Sequence, residues 1–384
     1  MRATPRSLAL CLALALALAC KSHKEEPPSP SPATDAKTHG TGQPRIGLVL
    51  GLGGRGDESF NASALRGLEL WSAGLRYEKG AYKLASPAEF QDSLGPELAH
   101  REPPIIPLGI IPSVLQSRGA EDYEPNLQLM VDQKASLIIA VGFMLENAVE
   151  RVAQHNPDKH FLLIDSPLLN EKNEPSTLPN VRAVSYRAEE GCFLAGALAG
   201  LVTKGGKVGF VGGMEIPLIK QYEAGFKAGV AATNPQATVS AHYTGSFTHL
   251  ELGKQVGQDL LAKGTDVLFA AAGEDGLGVI QAVKEARDEG KDVYVIGVDS
   301  DQFHLAPKAV LTAVLKRVDL TIYETVRDQT QGRFQAGNSS QGLREGGIAL
   351  APVRLDFPGK EEALRKVDAL KARIIAGGLK LPTP

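Results

Sequence analysis

The feature that most constrains the fold is a repeated alternation of short apolar runs with longer amphipathic segments. The runs are rich in Val, Ile and Leu, which is typical of strands buried on both faces of a parallel sheet. They are residues 45–50, 137–141, 161–164, 208–211, 267–271 and 293–298. Helical patterns lie between them, at 62–75, 125–134, 145–154, 189–203, 217–233, 250–263 and 278–289. The alternation predicts an α/β fold with doubly wound parallel sheets.

The number of strands and the length of the chain together predict two lobes. A chain of 384 residues has room for two domains of roughly 100–200 residues each, and the strands are too many for one compact sheet. We predict lobe 1 at 45–168 with about 310–338, and lobe 2 at 169–309 with about 339–384. The segment 166–179 is poor in apolar residues and is predicted to cross between the lobes. Ligands of open α/β sheets bind beyond the carboxyl ends of strands, so functional residues should follow the runs.

The N-terminal segment is predicted to be an export signal followed by a tether. Two arginines precede an apolar run at 8–19, which is shorter than the about 20 residues needed to span a bilayer. Small residues then lead to Cys20, which resembles the lipobox of bacterial lipoproteins, where the cysteine is diacylated. We predict a signal peptide at 1–19 and a disordered, lipid-anchored tether at 20–44. The protein would be held in the cell envelope, on the extracytoplasmic side of a membrane. The alternative is plain secretion with cleavage near Ala19.

Charge and motif content exclude several classes of function. The formal net charge of -3 excludes a strongly basic nucleic-acid-binding protein. Neither a metal nor another cofactor is expected, because the sequence has no His-Glu-x-x-His and no cysteine pair at metal-ligand spacing. The loop 51–56 matches the Gly-x-Gly-x-x-Gly of dinucleotide-binding domains, but Asp57 and Glu58 follow at once and would repel a pyrophosphate. A glycine-rich turn without a ligand is the other alternative for this loop.

Residues 53–61, Gly-Gly-Arg-Gly-Asp-Glu-Ser-Phe-Asn, resemble the Gly-Gly-x-x-Asp-x-Ser-Phe-Asn signature of the basic membrane protein family. The resemblance continues in family order over most of the mature chain, at 122–126, 141–143, 190–196, 207–217, 245–247, 297–302 and 315–319. Members of this family are lipoproteins that serve as purine-nucleoside receptors for ABC importers. The resemblance implies a type I periplasmic-binding-protein fold, in which two α/β lobes joined by a hinge close on the ligand. It also implies a transporter permease as partner.

A nucleoside has a flat base that needs aromatic faces and a polar edge that needs hydrogen-bonding partners. Phe60 and Phe247 lie in polar loops of different lobes, so closure would sandwich the base between them. Asn61, Asp57 and Asp122 would bind the edge of the base. The alternatives are core packing for the phenylalanines, helix capping for Asn61, and a solvated loop acid or a cap for Asp122.

The ribose of a nucleoside has a vicinal diol that needs an ionised acceptor. Asp299 ends a strongly apolar strand and would accept these hydrogen bonds. Lys316 would pair with Asp299 or donate to the ribose, and a structural Asp–Lys pair is the alternative. Backbone groups between Gly273 and Gly278 follow another strand and would face the ribose hydroxyls. Further residues of the family motifs complete the predicted ligand-binding set: Ser59, Gly142 and Phe143.

Two departures from the family pattern bear on the ligand. His249 stands where the family usually has an acid, and the segment of about 89–120 is longer than usual and is expected to remodel the rim of one lobe. No cluster of lysines and arginines accompanies the site residues, since Arg55 is a single charge, which favours a nucleoside over a nucleotide.

The sequence therefore predicts a non-catalytic, substrate-binding lipoprotein that captures a purine nucleoside and delivers it to an ABC permease. Two alternatives stay open: a membrane-anchored sensor or adhesin without a transport partner, and a receptor for another small ligand such as a sugar. A nucleoside hydrolase that uses Asp57 and Asp122 as acid and base is the least favoured alternative.

Overall fold

The computed structural model describes residues 42–170, 172 and 174–382. The predicted signal peptide, Cys20 and most of the predicted tether lie outside the described residues. Within the described part of the chain, no helix combines the length and the apolar character that a membrane span requires.

Strands and helices alternate along the chain as the sequence predicts. The strands are β1 (Arg45–Leu50), β2 (Leu75–Glu78), β3 (Ala81–Leu84), β4 (Ile111–Gln116), β5 (Leu137–Val141), β6 (His160–Ile164), β7 (Val181–Tyr186), β8 (Lys207–Gly212), β9 (Thr238–Tyr243), β10 (Val267–Ala271), β11 (Tyr294–Asp299), β12 (Val310–Lys316), β13 (Gly337–Gln341) and β14 (Ile348–Leu350). The helices are α1 (Phe60–Leu65), α2 (Pro87–Leu98), α3 (Tyr123–Asp132), α4 (Glu146–His155), α5 (Ala188–Val202), α6 (Pro217–Thr233), α7 (Leu250–Ala262), α8 (Glu274–Asp288), α9 (Val318–Thr330) and α10 (Lys360–Ile375). Helix α1 continues into π-helical turns at Arg66–Ser72. The predicted strand runs are confirmed, each to within a residue of its observed bounds.

Lobe 1 is built on a six-stranded sheet in the order β13-β7-β6-β5-β1-β4, and every neighbouring pair is parallel. Apolar residues fill β5 completely, because both faces of this central strand are buried. In β1, Leu50 pairs with Val141 of β5 and with Gln116 of β4. This register aligns the carboxyl ends of the three strands, so the loops that follow them share one edge of the sheet.

Lobe 2 is built on a second six-stranded sheet, in the order β14-β12-β11-β10-β8-β9. All neighbouring pairs are parallel except the short edge strand β14, which runs antiparallel to β12. Asp299 at the end of β11 pairs with Leu315 near the end of β12. The last residues of these two strands are therefore neighbours at the edge that carries the functional loops.

The crossings between the lobes differ from those predicted. Strands β6 and β7 are neighbours in the sheet of lobe 1, so the segment 166–179 is the loop that joins them and not a crossing. Within the described residues, the chain crosses after β7, after β12 and between β13 and β14.

Strand β12 belongs to lobe 2, although the predicted boundary at about 310 assigns it to lobe 1. It is buried between β11 and β14. Helix α9, which follows it, packs against α1 and Arg66–Ser72 in lobe 1. Lobe 1 therefore comprises 45–186 and 318–341, and lobe 2 comprises 188–316 with the chain after 348.

The long segment at about 89–120 contributes most of helix α2, a proline-rich loop and the edge strand β4 to lobe 1. Phe90 and Leu94 belong to an apolar cluster with Trp71 and Tyr323. Trp71 Nε1 also donates a hydrogen bond to Ser93 Oγ at 2.8 Å. Helix α2 lines a crevice between the lobes that is distinct from the cavity described below.

Helices α5 and α6 of lobe 2 pack closely because glycines lie at their contact. A Cβ added to Gly229 would stand 1.9 Å from the carbonyl oxygen of Phe193, and one added to Gly196 would stand 2.0 Å from that of Phe226. Larger residues would push the helices apart. The contact fixes the position of α6, which presents Tyr222 to the space between the lobes.

Candidate ligand-binding site

A cavity lies between the carboxyl ends of the two sheets. Lobe 1 lines it with the loops after β1 and β5 and with the residue that follows β6. Lobe 2 lines it with α6, with the loops after β9 and β10, and with the last residues of β11 and β12. Nine of the twelve predicted ligand-binding residues line this cavity: Asp57, Phe60, Asn61, Gly142, Phe143, Phe247, Gly273, Asp299 and Lys316.

Phe60 and Phe247 reach the cavity from opposite lobes. Phe60 is the first residue of α1, and its ring lies next to Gly142. Phe247 packs on Gly213, where an added Cβ would stand 2.3 Å from ring carbon Cε1. Gly213 therefore makes room for the ring at the cavity wall. Both phenylalanines are half-buried, so each keeps part of its surface for another partner.

Asp57 organises the start of α1, where Asn61 lies. Its carboxylate accepts hydrogen bonds from the backbone N–H groups of Ser59 at 3.0 Å, Asn61 at 2.7 Å and Ala62 at 2.9 Å. Asp57 thus fills the capping role considered for Asn61. Burial raises the pKa of Asp57 to about 6, although the three N–H groups favour its carboxylate form. Asn61 Nδ2 donates to the carbonyl oxygen of Leu52 at 3.0 Å, which leaves Oδ1 buried and without a partner among the described residues.

A buried ion pair joins the two lobes at the cavity. Lys316 Nζ, at the end of β12, donates to Asp165 Oδ2 at 2.7 Å, and Asp165 directly follows β6. The side chains are only 4% and 6% exposed. Lys316 therefore pairs with Asp165, whereas the sequence suggested Asp299 as its partner. Asp165 Oδ1 is buried and has no hydrogen-bond partner in the part of the chain that the structure describes.

Asp299 forms a second contact between the lobes. Its Oδ2 accepts a hydrogen bond from Ser59 Oγ at 2.7 Å. Ser300 Oγ donates to the carbonyl oxygen of Ser59 at 2.8 Å, and Gln302 Nε2 donates to that of Glu58 at 3.1 Å. Ser59 is therefore placed behind Asp299 and outside the cavity lining, although the sequence predicts it as a ligand-binding residue.

The carboxyl groups of Asp165 and Asp299 lie buried at this end of the cavity, where their charged forms are unfavourable. Burial raises the pKa of Asp165 and of Asp299, while the charge of Lys316 acts in the opposite direction. Both residues also have left-handed backbone angles, with φ of 69° and 64°. Such conformations persist where the surrounding structure holds them, and they are concentrated at functional sites. A ligand with hydroxyl or N–H donors would stabilise these carboxylates.

Three aromatic rings surround the ammonium group of Lys316. Its Nζ lies 5.1 Å from the ring centroid of Phe60, 5.3 Å from that of Tyr222 and 5.7 Å from that of Tyr186. These distances are within the range of cation–π attraction. Phe60 and Tyr186 belong to lobe 1 and Tyr222 to lobe 2, so both lobes hold the cation.

Two more predicted residues lie away from the cavity lining. Asp122 follows the edge strand β4 and accepts a hydrogen bond from the backbone N–H of Arg118 at 2.8 Å. Gly278 lies inside α8, where an added Cβ would stand 2.0 Å from the carbonyl oxygen of Leu250 on α7. Helix α8 begins at Glu274, so Gly278 lies one turn inside it and serves helix packing.

Asp165 and Tyr222 line the cavity but are absent from the residues chosen on sequence. Asp165 directly follows the apolar run 161–164, so the rule that selects Asp299 also selects Asp165. The crossing predicted at 166–179 obscures it. Tyr222 lies in the middle of α6, where helical periodicity predicts a core position and nothing more.

Comparisons with known proteins cover both lobes. Residues 47–383 match the family model described as Bmp, ABC transporter substrate-binding protein PnrA-like. The chain is 30% identical over 349 residues to the CD4+ T-cell-stimulating antigen of Listeria monocytogenes, which is 88% of this chain and 87% of that relative. It is 29% identical over 355 residues to the ABC transporter nucleoside-binding protein BmpA of Lactococcus lactis, which is 88% of this chain and 89% of that one.

A solved structure resembles the whole fold. The ABC transporter system solute-binding protein from Aeropyrum pernix superposes with a TM-score of 0.71 and is 26% identical. The match covers 89% of this chain and 94% of that one, so the likeness of fold extends over both sheets.

Proposed function

The chain belongs to the family of PnrA-like ABC transporter substrate-binding proteins, and from that premise we propose that it captures a purine nucleoside between its lobes and delivers it to the permease of an ABC importer. The resemblance drawn from the sequence motifs is confirmed, together with the two-lobed α/β fold and a substrate-binding rather than enzymatic role. The nucleoside and the permease are the parts that we propose.

The observation that carries the proposal is a pair of buried acceptors without a donor, in a cavity walled by two phenylalanines. Asn61 Oδ1 and Asp165 Oδ1 have no hydrogen-bond partner among the described residues. Buried polar atoms are rarely left so, because an unmade hydrogen bond costs about 1–3 kcal/mol. A nucleoside supplies what is missing: N–H groups on the base, hydroxyl groups on the sugar, and a flat ring between the aromatic side chains.

The base would stack against Phe60 and Phe247. Stacking of a base on an aromatic side chain contributes about 1–3 kcal/mol. Asn61 Nδ2 donates one of its two protons to the carbonyl oxygen of Leu52, whereas Oδ1 has no partner among the described residues. The base must therefore present a donor to Asn61, as a ring N–H or an exocyclic amino group does.

The sugar would bind at Asp299, Asp165 and Lys316. The vicinal hydroxyls of a ribose donate to the two carboxylates, and the ammonium group of Lys316 donates to the hydroxyl oxygens. A phosphate at this end would face two carboxylates with one ammonium group between them. The site therefore favours a nucleoside over a nucleotide.

Ligand binding would also hold the lobes together. The Lys316–Asp165 and Ser59–Asp299 contacts each join lobe 1 to lobe 2, and the ligand would bind to the same charged groups. Occupancy is thus coupled to closure, and a permease can recognise the closed shape. We further propose that acylated Cys20 holds the protein on the extracytoplasmic side of the membrane, where the ligand arrives.

Calorimetric titration of the mature chain, refolded to remove any co-purified ligand, tests the ligand. We expect inosine, guanosine or adenosine to bind, and free ribose and inosine 5′-monophosphate to bind at least about 100-fold more weakly. Ribose lacks the base, and the phosphate of the nucleotide brings negative charge to a site that has two carboxylates. Binding of ribose or another sugar with no response to nucleosides would overturn the proposal. It would favour the sugar receptor instead.

A further inference from the structure

Tyr222 is a buried tyrosine whose hydroxyl has been left without a protein partner. It lies on α6, is 3% exposed and lines the cavity. Within the described residues, no protein group forms a hydrogen bond with its hydroxyl. Among the described residues, the hydroxyl oxygen is not one of the fully buried atoms that lack a partner, so it keeps access to the cavity, where a ligand can supply the hydrogen bond that tyrosine hydroxyls usually form.

Other buried or half-buried tyrosines of the same chain show the usual arrangement. Tyr186 donates to Thr321 Oγ1 at 2.8 Å, and Tyr323 donates to the carbonyl oxygen of Ile106 at 3.1 Å. Tyr82 donates to Glu69 Oε1 at 2.6 Å. Tyr222 differs from them in lining the cavity, so the missing partner is expected there.

Tyr222 lies at the end of the cavity where the sugar is proposed to bind. Its ring centroid is 5.3 Å from Lys316 Nζ. Burial raises the pKa of its hydroxyl well above the usual value, and the nearby carboxylates of Asp299 and Asp165 add to that effect. The hydroxyl therefore keeps its proton and can act as a donor at neutral pH.

We propose that Tyr222 is a specificity-determining residue whose hydroxyl donates to an oxygen of the sugar's vicinal diol, so that the site prefers ribonucleosides to deoxynucleosides. This inference rests on the proposed function. The diol hydroxyls use their protons on Asp299 and Asp165, which leaves their oxygens as acceptors. Lys316 is one donor at this place and Tyr222 is the other. A deoxynucleoside would leave one of these buried groups unpaired.

The test measures Tyr222→Phe against inosine and its 2′-, 3′- and 5′-deoxy analogues by calorimetry. We expect the variant to bind inosine about tenfold more weakly than the wild type does, the size of one buried hydrogen bond. For the 2′- or the 3′-deoxy analogue, whichever lacks the contacted hydroxyl, the substitution should change affinity little. For the 5′-deoxy analogue the tenfold loss should remain, since that hydroxyl lies outside the diol.

Tyr186→Phe is the matched control, because it also removes a buried hydroxyl beside Lys316, but one already bound to Thr321. We expect it to lower the melting temperature and to leave the affinity ratios among the four ligands as in the wild type. The inference is overturned if Tyr222→Phe weakens all four ligands by one factor, if it weakens none, or if Tyr186→Phe alters the ratios equally. These outcomes differ from failure of the proposed function, in which the wild type binds no nucleoside.

Discussion

Two cavities lie between the same two lobes, and they differ in how far their polar groups are already paired. The crevice beside α2 is larger, at about 410 Å³ against about 110 Å³ for the candidate ligand site. Among the described residues, none that line the crevice holds a buried side-chain polar atom without a partner, whereas the smaller cavity has Asn61 Oδ1 and Asp165 Oδ1. By volume the crevice would be the better candidate for a ligand site, but by unused hydrogen-bonding capacity the smaller cavity is the better candidate. The second criterion is the better one for a ligand.

Five charged side chains of the crevice are paired with one another. Arg354 donates to both oxygens of Asp301, at 3.1 and 2.7 Å. Arg66 and Arg317 each form an ion pair with Asp319 at 3.0 Å. Burial acts to raise the pKa of Asp319, but the charges of these two arginines outweigh it and hold the pKa below its usual value. At Asp57, Asp165 and Asp299 of the smaller cavity the balance is reversed, and burial raises the pKa of each carboxyl group.

The largest expected effect separates Asp299, which lines both cavities, from Asp301, which lines only the crevice. Asp299→Ala removes a buried acceptor of the proposed diol and should weaken inosine binding by about 2–5 kcal/mol in calorimetric titration. Asp301→Ala breaks a partly exposed ion pair with Arg354 and a hydrogen bond from the backbone N–H of Phe303, and none of these residues lines the candidate ligand site, so binding should stay within a few tenths of a kcal/mol of the wild type. Circular dichroism melting of both variants checks that each is folded. Equal affinity of Asp299→Ala and the wild type would remove the ribose role.

The sequence predicted most of the cavity because of one simple regularity. Parallel strands buried on both faces are nearly uninterrupted apolar runs, and their carboxyl ends share an edge. Residues at or after the ends of β1, β5, β10 and β11 could be predicted by this rule, and Phe60, Phe143 and Asp299 do line the cavity. Asp122 also follows a strand, but its carboxylate accepts a hydrogen bond from the backbone N–H of Arg118 in its own loop and does not line the cavity.

The residues that the sequence missed depend on tertiary contacts. No local pattern indicates that Lys316 pairs with Asp165, 151 positions away in the chain, and not with Asp299. Tyr222 has the periodicity of an ordinary helix core residue, and only the tertiary packing of α6 brings it to the cavity. The crossing at 166–179 was misplaced because a polar surface loop and a hinge have the same composition.

The second prediction contrasts the pH dependence of Asp57 with that of Asp319. The pKa of Asp57 is about 6 in the folded state against a usual value of 3.8. Its contribution to stability is therefore fully present below the unfolded pKa and is lost as pH rises through about 6, by up to about 3 kcal/mol. Asp319 has a lowered pKa, so its contribution is present above the unfolded pKa and is lost as pH falls through the folded value.

Urea unfolding at several pH values between about 2 and 7 measures this contrast, because the contribution of Asp319 changes below about pH 4 and that of Asp57 changes between about pH 4 and 6. Relative to the wild type, Asp57→Asn should become more stable as pH rises, and Asp319→Asn should become less stable. Asn keeps one acceptor oxygen for the N–H groups of Ser59 and Ala62, so the start of α1 should form. Parallel slopes for the two variants would contradict the proposed difference between the cavities. Asp57→Asn carries the prediction by itself if Asp319→Asn does not fold.

The smallest expected effect compares Phe247 with Phe303, a phenylalanine of each cavity. Phe247→Ala removes one face of the proposed base site and should weaken binding by about 1–3 kcal/mol. Phe303 lies in the crevice with its ring centroid 4.9 Å from the guanidinium of Arg354, so Phe303→Ala should leave nucleoside affinity unchanged. Because stacking grows with the overlapped area, Phe247→Ala should cost inosine more than uridine in paired titrations. An equal loss for both nucleosides would mean that the ring supports the cavity wall and does not contact the base.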